Sequence, residues 1–352
     1  MHKNNKLKKS FWGFVFGLTA LLALVGFIGL AFAGALEPPA SAVDGAGNPV
    51  STMRTLDEVE PRTPISSLPF IISASGSYYL TQDLIMGTVG GGMLIAADNV
   101  TLDLNGFALI GAPGSTNGIA VNDPHKNIFI RNGTIRDWGD NGVSGLNARN
   151  SRLENLQVSD NLGVGLKIGW GSVVTNCTTF NNTEGGVVAR DNSVVTNCTA
   201  DSNGGNGITV GLRSVVNNCS VSSNGGEGIE AGAGSKVSGC VAGSNTANGI
   251  KVTHSCYLIS NNCISNGLNG DGAGIVVTGN SGRIEGNNVI GNDRGIEVTG
   301  ILNIIIKNTV GGVDSYTIGP NNNYGPIVNV GGGVGDISSR PNSDHPWANF
   351  QL

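Results

Sequence analysis

Residues 151–255 divide into five consecutive segments of 21 residues: SRLENLQVSDNLGVGLKIGWG, SVVTNCTTFNNTEGGVVARDN, SVVTNCTADSNGGNGITVGLR, SVVNNCSVSSNGGEGIEAGAG and SKVSGCVAGSNTANGIKVTHS. Three columns keep this period: Leu156, Cys177, Cys198, Cys219 and Cys240; Asn161, Asn182, Asn203, Asn224 and Asn245; and Gly165, Gly186, Gly207, Gly228 and Gly249. A short repeat with apolar alternation and no helical pattern is typical of a solenoid whose unit is one turn of β-structure.

The alternation of apolar and polar residues predicts which side chains face inward. Val174, Val195 and Val216 are followed by mostly polar residues, as a strand with a period of two requires. The Cys column and the pair in each GIxV segment, such as Ile208 with Val210, repeat this inward pattern. Each turn therefore supplies three short strands. The sequence predicts an all-β, right-handed parallel β-helix with three strands per coil and coils of about 21–24 residues, stacked about 4.8 Å apart.

The Asn and Cys columns lead to two further expectations. Asn tolerates the left-handed conformation at a bend, and stacked amides form hydrogen bonds along the axis. Stacked cysteines have parallel Cβ vectors about 4.8 Å apart, outside the roughly 3.5–4.5 Å of a disulfide, so the Cys column is expected to hold buried, reduced thiols. Cys256 and Cys263 lie off this column and are the only plausible disulfide pair.

The first 33 residues have the pattern of an export signal. Four lysines precede an apolar run from Phe11 to Leu30, and Ala31-Phe32-Ala33 fits a cleavage site. The run is also long enough for a retained membrane anchor. In both cases the body of the protein is expected outside the cytoplasm, as a secreted, periplasmic or cell-surface protein. Removing these residues takes away four lysines and no acid, which changes the net charge from −5 to −9 and argues against nucleic acid as a partner.

The remaining chain divides by composition and period. Residues 34–64, rich in Pro, Ala and Gly, are expected to form a linker. Residues 65–330 are expected to form the β-helix, with the stretch from Thr55 to Leu84 capping its open end, and residues 331–352 a C-terminal tail or cap. GIxV-like segments begin at Gly118, Gly142 and Gly165, so the early coils are longer, and four extra residues occur near 269–272.

Two early segments resemble a known superfamily. VTLDLNG (100–106), IFIRNGTIRD (128–137) and the GIxV turns resemble the right-handed parallel β-helix, or pectate-lyase-like, superfamily, which includes pectate lyases, polygalacturonases and mannuronan epimerases. The stretch from Thr55 to Leu84 also resembles exported bacterial β-helix repeat proteins of unknown function. This resemblance implies the fold, and one fold supports many activities.

The catalytic motifs of these enzymes are absent or incomplete. The N-T-D, D-D, G-H-G and R-I-K motifs of polygalacturonases do not occur in the chain. Asp123-Pro124-His125 matches three letters of the D-P-H-D motif of mannuronan epimerases, but Lys126 replaces the last acid. Asp and Pro also favour a turn between strands, which is the plainer interpretation of this tripeptide.

A cluster of charged residues in the early coils is the candidate site. Asp103, Arg131 and Glu154 are expected to stack as one outward row. The residues beside this row are Arg136, Asp137, Trp138, Asp140 and Asp160. As a substrate site, the arginines would neutralise uronate carboxylates, while Trp138 would stack on a sugar ring.

The remaining acids of this cluster suggest a cation. Asp137, Asp140 and Asp160 offer the hard oxygen ligands that Ca²⁺ prefers, and no other cofactor is indicated. The alternative interpretation of the whole cluster is a stacked ion-pair ladder with a tryptophan that shields the core.

Two classes of function follow from these observations. The first is an exported or cell-surface structural or polysaccharide-binding module, whose partner is a polysaccharide or a component of the cell envelope. The second is a polysaccharide lyase, C5-epimerase or glycoside hydrolase that acts on acidic glycans.

Overall fold

The computed structural model describes residues 62–352, except residues 88, 123, 268, 269, 271, 313 and 333–335. The predicted signal or anchor segment, residues 1–33, and residues 34–61 of the predicted linker lie outside the described residues. Arg62–Leu352 forms one compact unit. Within its described residues, no helix is long and apolar enough to cross a membrane.

The described residues contain 36 strands and a single short 3-10 helix, Ile337–Ser339. The strands of the early coils are β1 (Thr63–Ile65), β2 (Phe70–Ile72), β3 (Gly76–Leu80), β4 (Leu84–Ile85), β5 (Met93–Ile95), β6 (Val100–Asp103), β7 (Ala108–Ile110), β8 (Ile119–Val121), β9 (Ile128–Arg136), β10 (Val143–Arg149) and β11 (Arg152–Ser159). The repeat contains β12 (Leu166–Trp170), β13 (Val173–Thr175), β14 (Thr178–Phe180), β15 (Val187–Ala189), β16 (Val194–Thr196), β17 (Thr199–Asp201), β18 (Ile208–Val210), β19 (Val215–Asn217), β20 (Ser220–Ser222), β21 (Ile229–Ala231), β22 (Lys236–Ser238), β23 (Val241–Gly243), β24 (Ile250–Val252), β25 (Tyr257–Ile259) and β26 (Asn262–Ile264). The last coils contain β27 (Ala273–Val277), β28 (Arg283–Glu285), β29 (Asn288–Ile290), β30 (Arg294–Val298), β31 (Ile304–Ile306), β32 (Thr309–Gly311), β33 (Asp314–Ile318), β34 (Asn323–Tyr324), β35 (Ile327–Asn329) and β36 (Asn349–Gln351).

These strands form a parallel β-solenoid of about 13 turns with three faces. Face 1 is a 12-stranded sheet that includes β12, β15 and β18. Face 2 includes β13, β16 and β19, and face 3 includes β14, β17 and β20. Faces 2 and 3 join into one 24-stranded sheet, because the long strands β9 and β11 run through the corner between them. The predicted all-β architecture with three strands per coil is confirmed.

The core follows the predicted alternation. Val174, Val195 and Val216 pair in register and are fully buried. The four cysteines of the repeat column are buried free thiols, as predicted. Cys256 and Cys263 are also free and buried, so the alternative of a disulfide between them is wrong.

The Asn column forms a hydrogen-bonded ladder inside one corner of the coil. Asn182 donates from its backbone N and its Nδ2 to Asn203 Oδ1, at 3.1 and 2.9 Å, and Nδ2 also donates to the carbonyl of Val158 at 3.1 Å. The predicted stacking of amides is confirmed. The expectation that this column itself is left-handed is wrong, because the positive φ belongs to the preceding residue, 52° at Asn181 and 57° at Ser202.

The other two corners also contain stacked small side chains, serines at one and cysteines, then asparagines, at the other. At the corner between faces 1 and 2, the backbone N of Ser172 donates to Ser193 Oγ at 3.3 Å, and Ser193 repeats the bond to Ser214. The Cys column occupies the corner between faces 2 and 3. Cys240 is its last member, and its backbone N donates to Asn261 Oδ1 at 3.0 Å. The column then continues as asparagine: Asn261, Asn287, Asn308 and Asn349.

The Gly column exists because the Asn ladder packs against it. A Cβ on Gly165 would lie 2.8 Å from Asn182 Nδ2, and one on Gly228 would lie 2.6 Å from Asn245 Nδ2. These distances are too short for a real side chain. The glycines are therefore required for close approach between successive coils.

Both ends of the described chain belong to the solenoid. The stretch expected to cap the first coil supplies β1 and β2, which pair in register with β3 and β5. At the other end, β36 lies between β32 and β35, and so completes face 3. Coil length varies on this frame, since Val100 pairs with Ile128 but Val194 pairs with Val215.

Candidate functional site

The predicted row of charges lies on face 2 of the early coils. Asp103 pairs with Arg131 and Arg131 with Glu154 in the strand register, and Tyr79 precedes Asp103 in the same row. Asp103 is only 6% exposed. Its Oδ2 accepts from Arg131 Nε at 3.0 Å, with Arg131 Nη2 also at 3.0 Å, and Arg62 Nη1 lies 3.9 Å away.

Both carboxylates of this row are engaged by protein groups. Asp103 Oδ1 accepts from the backbone N of Asn105 at 2.9 Å and from Asn132 Nδ2 at 3.2 Å. Glu154 forms an ion pair with Arg152, with its Oε2 2.8 Å from Arg152 Nε. The acids therefore anchor arginines and are poorly placed to act as bases, because each is paired with a guanidinium.

Aromatic rings underlie the arginines of this region. Arg62 lies over the ring of Tyr79, with its Cζ 4.6 Å from the ring centroid. The ring of Phe129 is shared by Arg131 at 5.2 Å and Arg152 at 5.6 Å. Each guanidinium is held at a defined position by a ring that is itself only partly exposed.

A second arginine–aromatic stack occupies the adjoining corner between faces 1 and 2. Trp170, one coil after Arg149 in the register, has Arg149 at 5.2 Å and Arg190 at 4.2 Å from its ring centroid. Five of the six cation–π pairs among the described residues lie between Arg62 and Arg190, in the early coils and the first coils of the repeat. We call this region the arginine–aromatic surface: Arg62, Tyr79, Phe129, Arg131, Arg149, Arg152, Trp170 and Arg190.

Most of this surface was missed from the sequence. Only Arg131 was singled out there, together with its partners Asp103 and Glu154. The signal that would have found the second stack is the spacing of 21 residues between Arg149 and Trp170, which places them on neighbouring coils. The position of a guanidinium over a ring depends on side-chain rotamers, which the periodicity does not reveal.

Trp138 does not lie on the surface, so its predicted role as a sugar platform is wrong. Its side chain is 0% exposed. Its backbone N donates to Asn161 Oδ1 at 3.1 Å and its Nε1 donates to the carbonyl of Leu109 at 3.2 Å. These are the bonds that ladder asparagines make one coil later, so Trp138 is the first member of the Asn ladder.

The other predicted site residues lie on a different part of the coil. Arg136 pairs in register with Ser159 on face 3 and forms an ion pair with Asp137. Asp137 and Asp160 are left-handed corner residues, with φ of 64° and 58°. Arg131 and Arg136 therefore face different directions and do not form one site.

The three acids proposed for calcium do not converge. Asp140 Oδ1 accepts from Asn141 Nδ2 at 2.8 Å, and Asp160 Oδ1 accepts from Asn181 Nδ2, also at 2.8 Å. No group of three or more His, Cys, Asp or Glu residues in the described part of the chain is arranged to hold a metal ion. The three acids predicted to bind calcium are thus not brought together as a set of ligands.

His125, the last residue of the Asp-Pro-His tripeptide, lies at the corner beside Arg149, whose backbone N donates to the His125 carbonyl at 2.9 Å. Asp123 is outside the described residues. His125 Nδ1 lies 3.0 Å from Asp98 Oδ1, and the backbone N of Lys126 donates to the same oxygen at 3.1 Å. The hydrogen bond with His125, followed by that from Lys126, holds the pKa of Asp98 below its ordinary value. The contact with Asp98 fits the expected turn between strands.

Comparisons with known proteins agree with this geometry. Residues 85–215 match a family model described as a right handed beta helix region. No curated protein sequence matches the chain significantly.

Two of the solved structures that resemble the chain illustrate the likeness. One is the A-module of the mannuronan C-5 epimerase AlgE6 of Azotobacter vinelandii, at 15% identity and a TM-score of 0.63, covering 74% of this chain and 88% of that one. The other is the Dettilon tailspike protein, at 14% identity and a TM-score of 0.50, covering 83% of this chain and 61% of the tailspike. At these identities the likeness establishes architecture only. The chain therefore has the right-handed parallel β-helix fold of the superfamily that its early segments resemble.

Proposed function

We propose that this protein is an exported, cell-surface β-helix module that binds an acidic polysaccharide through the arginine–aromatic surface. The observation that supports this proposal is the concentration of five arginines over three aromatic rings between Arg62 and Arg190. Their charge is opposite to that of the chain, which has a net charge of −5. An electropositive region on an acidic protein favours an anionic ligand at that region.

The aromatic rings explain how these arginines would bind. A guanidinium stacked on a ring has already lost much of its rotamer freedom, so less entropy is lost when its N–H groups meet a carboxylate. Arg149 and Arg190 both stack on Trp170, and Arg149 is exposed while Arg190 is half-buried. Bidentate pairing with uronate carboxylates is the interaction that guanidinium groups favour.

Binding is a better match than catalysis for the two acids of the charged row, Asp103 and Glu154. A lyase or epimerase needs a base that can take the proton at C5 of the sugar. Asp103 and Glu154 are each held in an ion pair with an arginine, so neither is free to take that proton. The proposed export depends on residues 1–33, which would act either as a cleaved signal or as a retained membrane anchor.

Titration calorimetry with purified protein tests the proposal. Polyuronates such as polygalacturonate and alginate should bind, neutral glucans should not, and affinity should fall with added salt because exposed charges are screened. Arg149→Ala with Arg190→Ala should weaken binding about tenfold or more, whereas Arg136→Ala on face 3 should not change it. Equal affinity of all three proteins would contradict the proposal. A rise in ultraviolet absorbance from unsaturated uronate would instead indicate a lyase.

A further inference from the structure

A cleft with two exposed aromatic side chains lies at the far end of face 2. It has a volume of about 340 Å³, and its lining includes Ile304, Ile306, Tyr324 and Trp347. Tyr324 is 55% exposed and Trp347 is 48% exposed. Large exposed aromatics in a concave surface are typical of a binding site, since nothing in the fold requires them to face water.

The backbone holds Trp347 in place while its side chain stays exposed. On one side, the N of Trp347 donates to His345 Nδ1 at 3.2 Å. On the other side, Asn349 is fully buried, and its Nδ2 donates to the carbonyls of Ile305 and Gly325 at 3.1 Å each. The backbone carbonyl of Trp347 packs against Gly325 so closely that no Cβ would fit there. The backbone that carries Trp347 is therefore held in place, so no backbone entropy is lost there on binding.

The cleft has a polar border one coil earlier. Ile304 pairs in register with Arg283, and Ile306 with Glu285. Glu285 accepts from Arg283 Nε at 2.8 Å and from Tyr257 Oη at 3.2 Å, and lies 3.2 Å from Lys307 Nζ. An apolar floor, aromatic walls and a polar border suit a sugar ring, which has apolar faces and a hydroxyl edge.

The cleft and the arginine–aromatic surface share face 2. Their common row runs from Phe129 and Arg152 to Ile304 through the paired residues Val173, Val194, Val215, Lys236, Tyr257 and Arg283. Seven coil steps separate Arg152 from Ile304, about 34 Å at a spacing of about 4.8 Å. Because the residues of this row pair in register from coil to coil, an extended polymer that lies along it would reach both ends.

We propose that the Tyr324–Trp347 cleft is a second glycan site, which stacks on a ring of the same acidic polysaccharide chain that the arginine–aromatic surface binds. This inference rests on the proposed function. The first site would contact carboxylates and the second would contact uncharged ring faces. Two linked contacts raise the affinity for a chain long enough to occupy both, without any new contact at either site.

Chain length is the variable that tests this inference. Wild type, Trp347→Ala and Trp347→Phe are compared by calorimetry with uronate trimers and with a uronate polymer. Trp347→Ala should weaken polymer binding about tenfold or more and leave trimer binding at the first site unchanged, because a trimer cannot span the face. Trp347→Phe retains an aromatic ring and should restore most of the polymer affinity.

The outcomes separate this inference from the proposed function. If Trp347→Ala binds polymer as tightly as wild type while the Arg149→Ala and Arg190→Ala protein does not, the second site is wrong and the first stands. If wild type binds no uronate polymer, both proposals are wrong. Sedimentation of the same proteins adds a further check: a dimer that Trp347→Ala converts to a monomer would mean that a second copy of the chain occupies the cleft.

Discussion

The early coils and the 21-residue coils use the same three-sided frame but place their large and charged side chains differently. In the repeat, small Ser, Cys and Asn side chains fill the corners from within, and the outward positions of face 2 include Val194 and Thr196. In the early coils, Trp138 fills one corner, and face 2 presents Arg131 and Arg152. The comparison shows that the corners determine the backbone, whereas the faces are free to vary and so can acquire a binding surface.

The largest expected effect comes from breaking a ladder in the repeat. Asn203 Oδ1 accepts two hydrogen bonds from Asn182, and its Nδ2 donates to Thr179 and Asn224. Asn203→Leu leaves these buried groups without partners and should lower the free energy of unfolding by about 4 kcal/mol. Urea denaturation followed by circular dichroism measures the change. A loss below about 1 kcal/mol would mean that the corners contribute little.

A smaller effect is expected from the Gly column. A Cβ at Gly228 would overlap Asn245 Nδ2, whereas a Cβ at Gly87 in the early coils meets no atom within 4 Å. Gly228→Ala should therefore cost about 2 kcal/mol, and Gly87→Ala should be close to neutral. Thermal unfolding of the two variants side by side makes the comparison. Similar melting temperatures would show that the ladder can shift to accept a methyl group.

The buried thiols make stability depend on alkaline pH. Burial raises the pKa of Cys263 above its ordinary value of 9.0. Below pH 9 the Cys263 thiol is protonated in the folded and in the unfolded state, so its contribution to the free energy of unfolding is fully present. Above pH 9 the unfolded state loses the proton and the folded state keeps it, so stability should fall by about 1.4 kcal/mol per pH unit.

Cys263→Ala tests this dependence. The variant should show a shallower loss of stability between pH 9 and about pH 10.5 than wild type, when both are measured by urea denaturation. Cys256, whose pKa is also raised by burial, contributes in the same direction and serves as a second variant. Identical slopes for wild type and both variants would contradict the assignment.

The smallest effect on stability is expected on the outer face of the early coils. Arg131→Ala removes an ion pair to Asp103, which keeps contacts with Arg62, Asn132 and the backbone of Asn105. The cost should be about 1 kcal/mol, slightly more than for Arg152→Ala, because Asp103 is more buried than Glu154. Both variants should weaken binding of polyuronate in calorimetry. Early melting with unchanged affinity would identify these residues as structural.

The fold was predictable because the repeat fixes its own register. Once Cys177, Cys198 and Cys219 are aligned, the inward and outward positions of every coil between them follow from a period of two. The same argument was wrong by one residue for the left-handed position, which belongs to Asn181 and not to Asn182. The left-handed column is Asp160, Asn181, Ser202, Ser223 and Ser244, which is mostly serine, so the residue type did not mark it as the left-handed position.

The site was less predictable because the early coils vary in length. Spacings of 23 to 28 residues hide the ladder position of Trp138, and its neighbours Arg136 and Asp137 made it resemble a surface residue. The row of Asp103, Arg131 and Glu154 could be found, since all three follow strand alternation. The division of the cluster between faces 2 and 3 depends on where β9 passes the corner, which the sequence pattern does not mark.

Different residue types can occupy the same corner position in successive coils. Because of this tolerance, the number of coils in the solenoid can change. The backbone N of Cys240 donates to Asn261 Oδ1, just as the backbone N of Asn182 donates to Asn203 Oδ1. A coil therefore accepts a neighbouring coil whose residue at that corner is of a different type. Removing residues 193–213 would still leave Ser172 beside Ser214 and Asn182 beside Asn224. The distance between the two ends of face 2 would then shorten by one rise, about 4.8 Å. Deletion or duplication of whole coils would therefore shorten or lengthen the solenoid in steps of one coil.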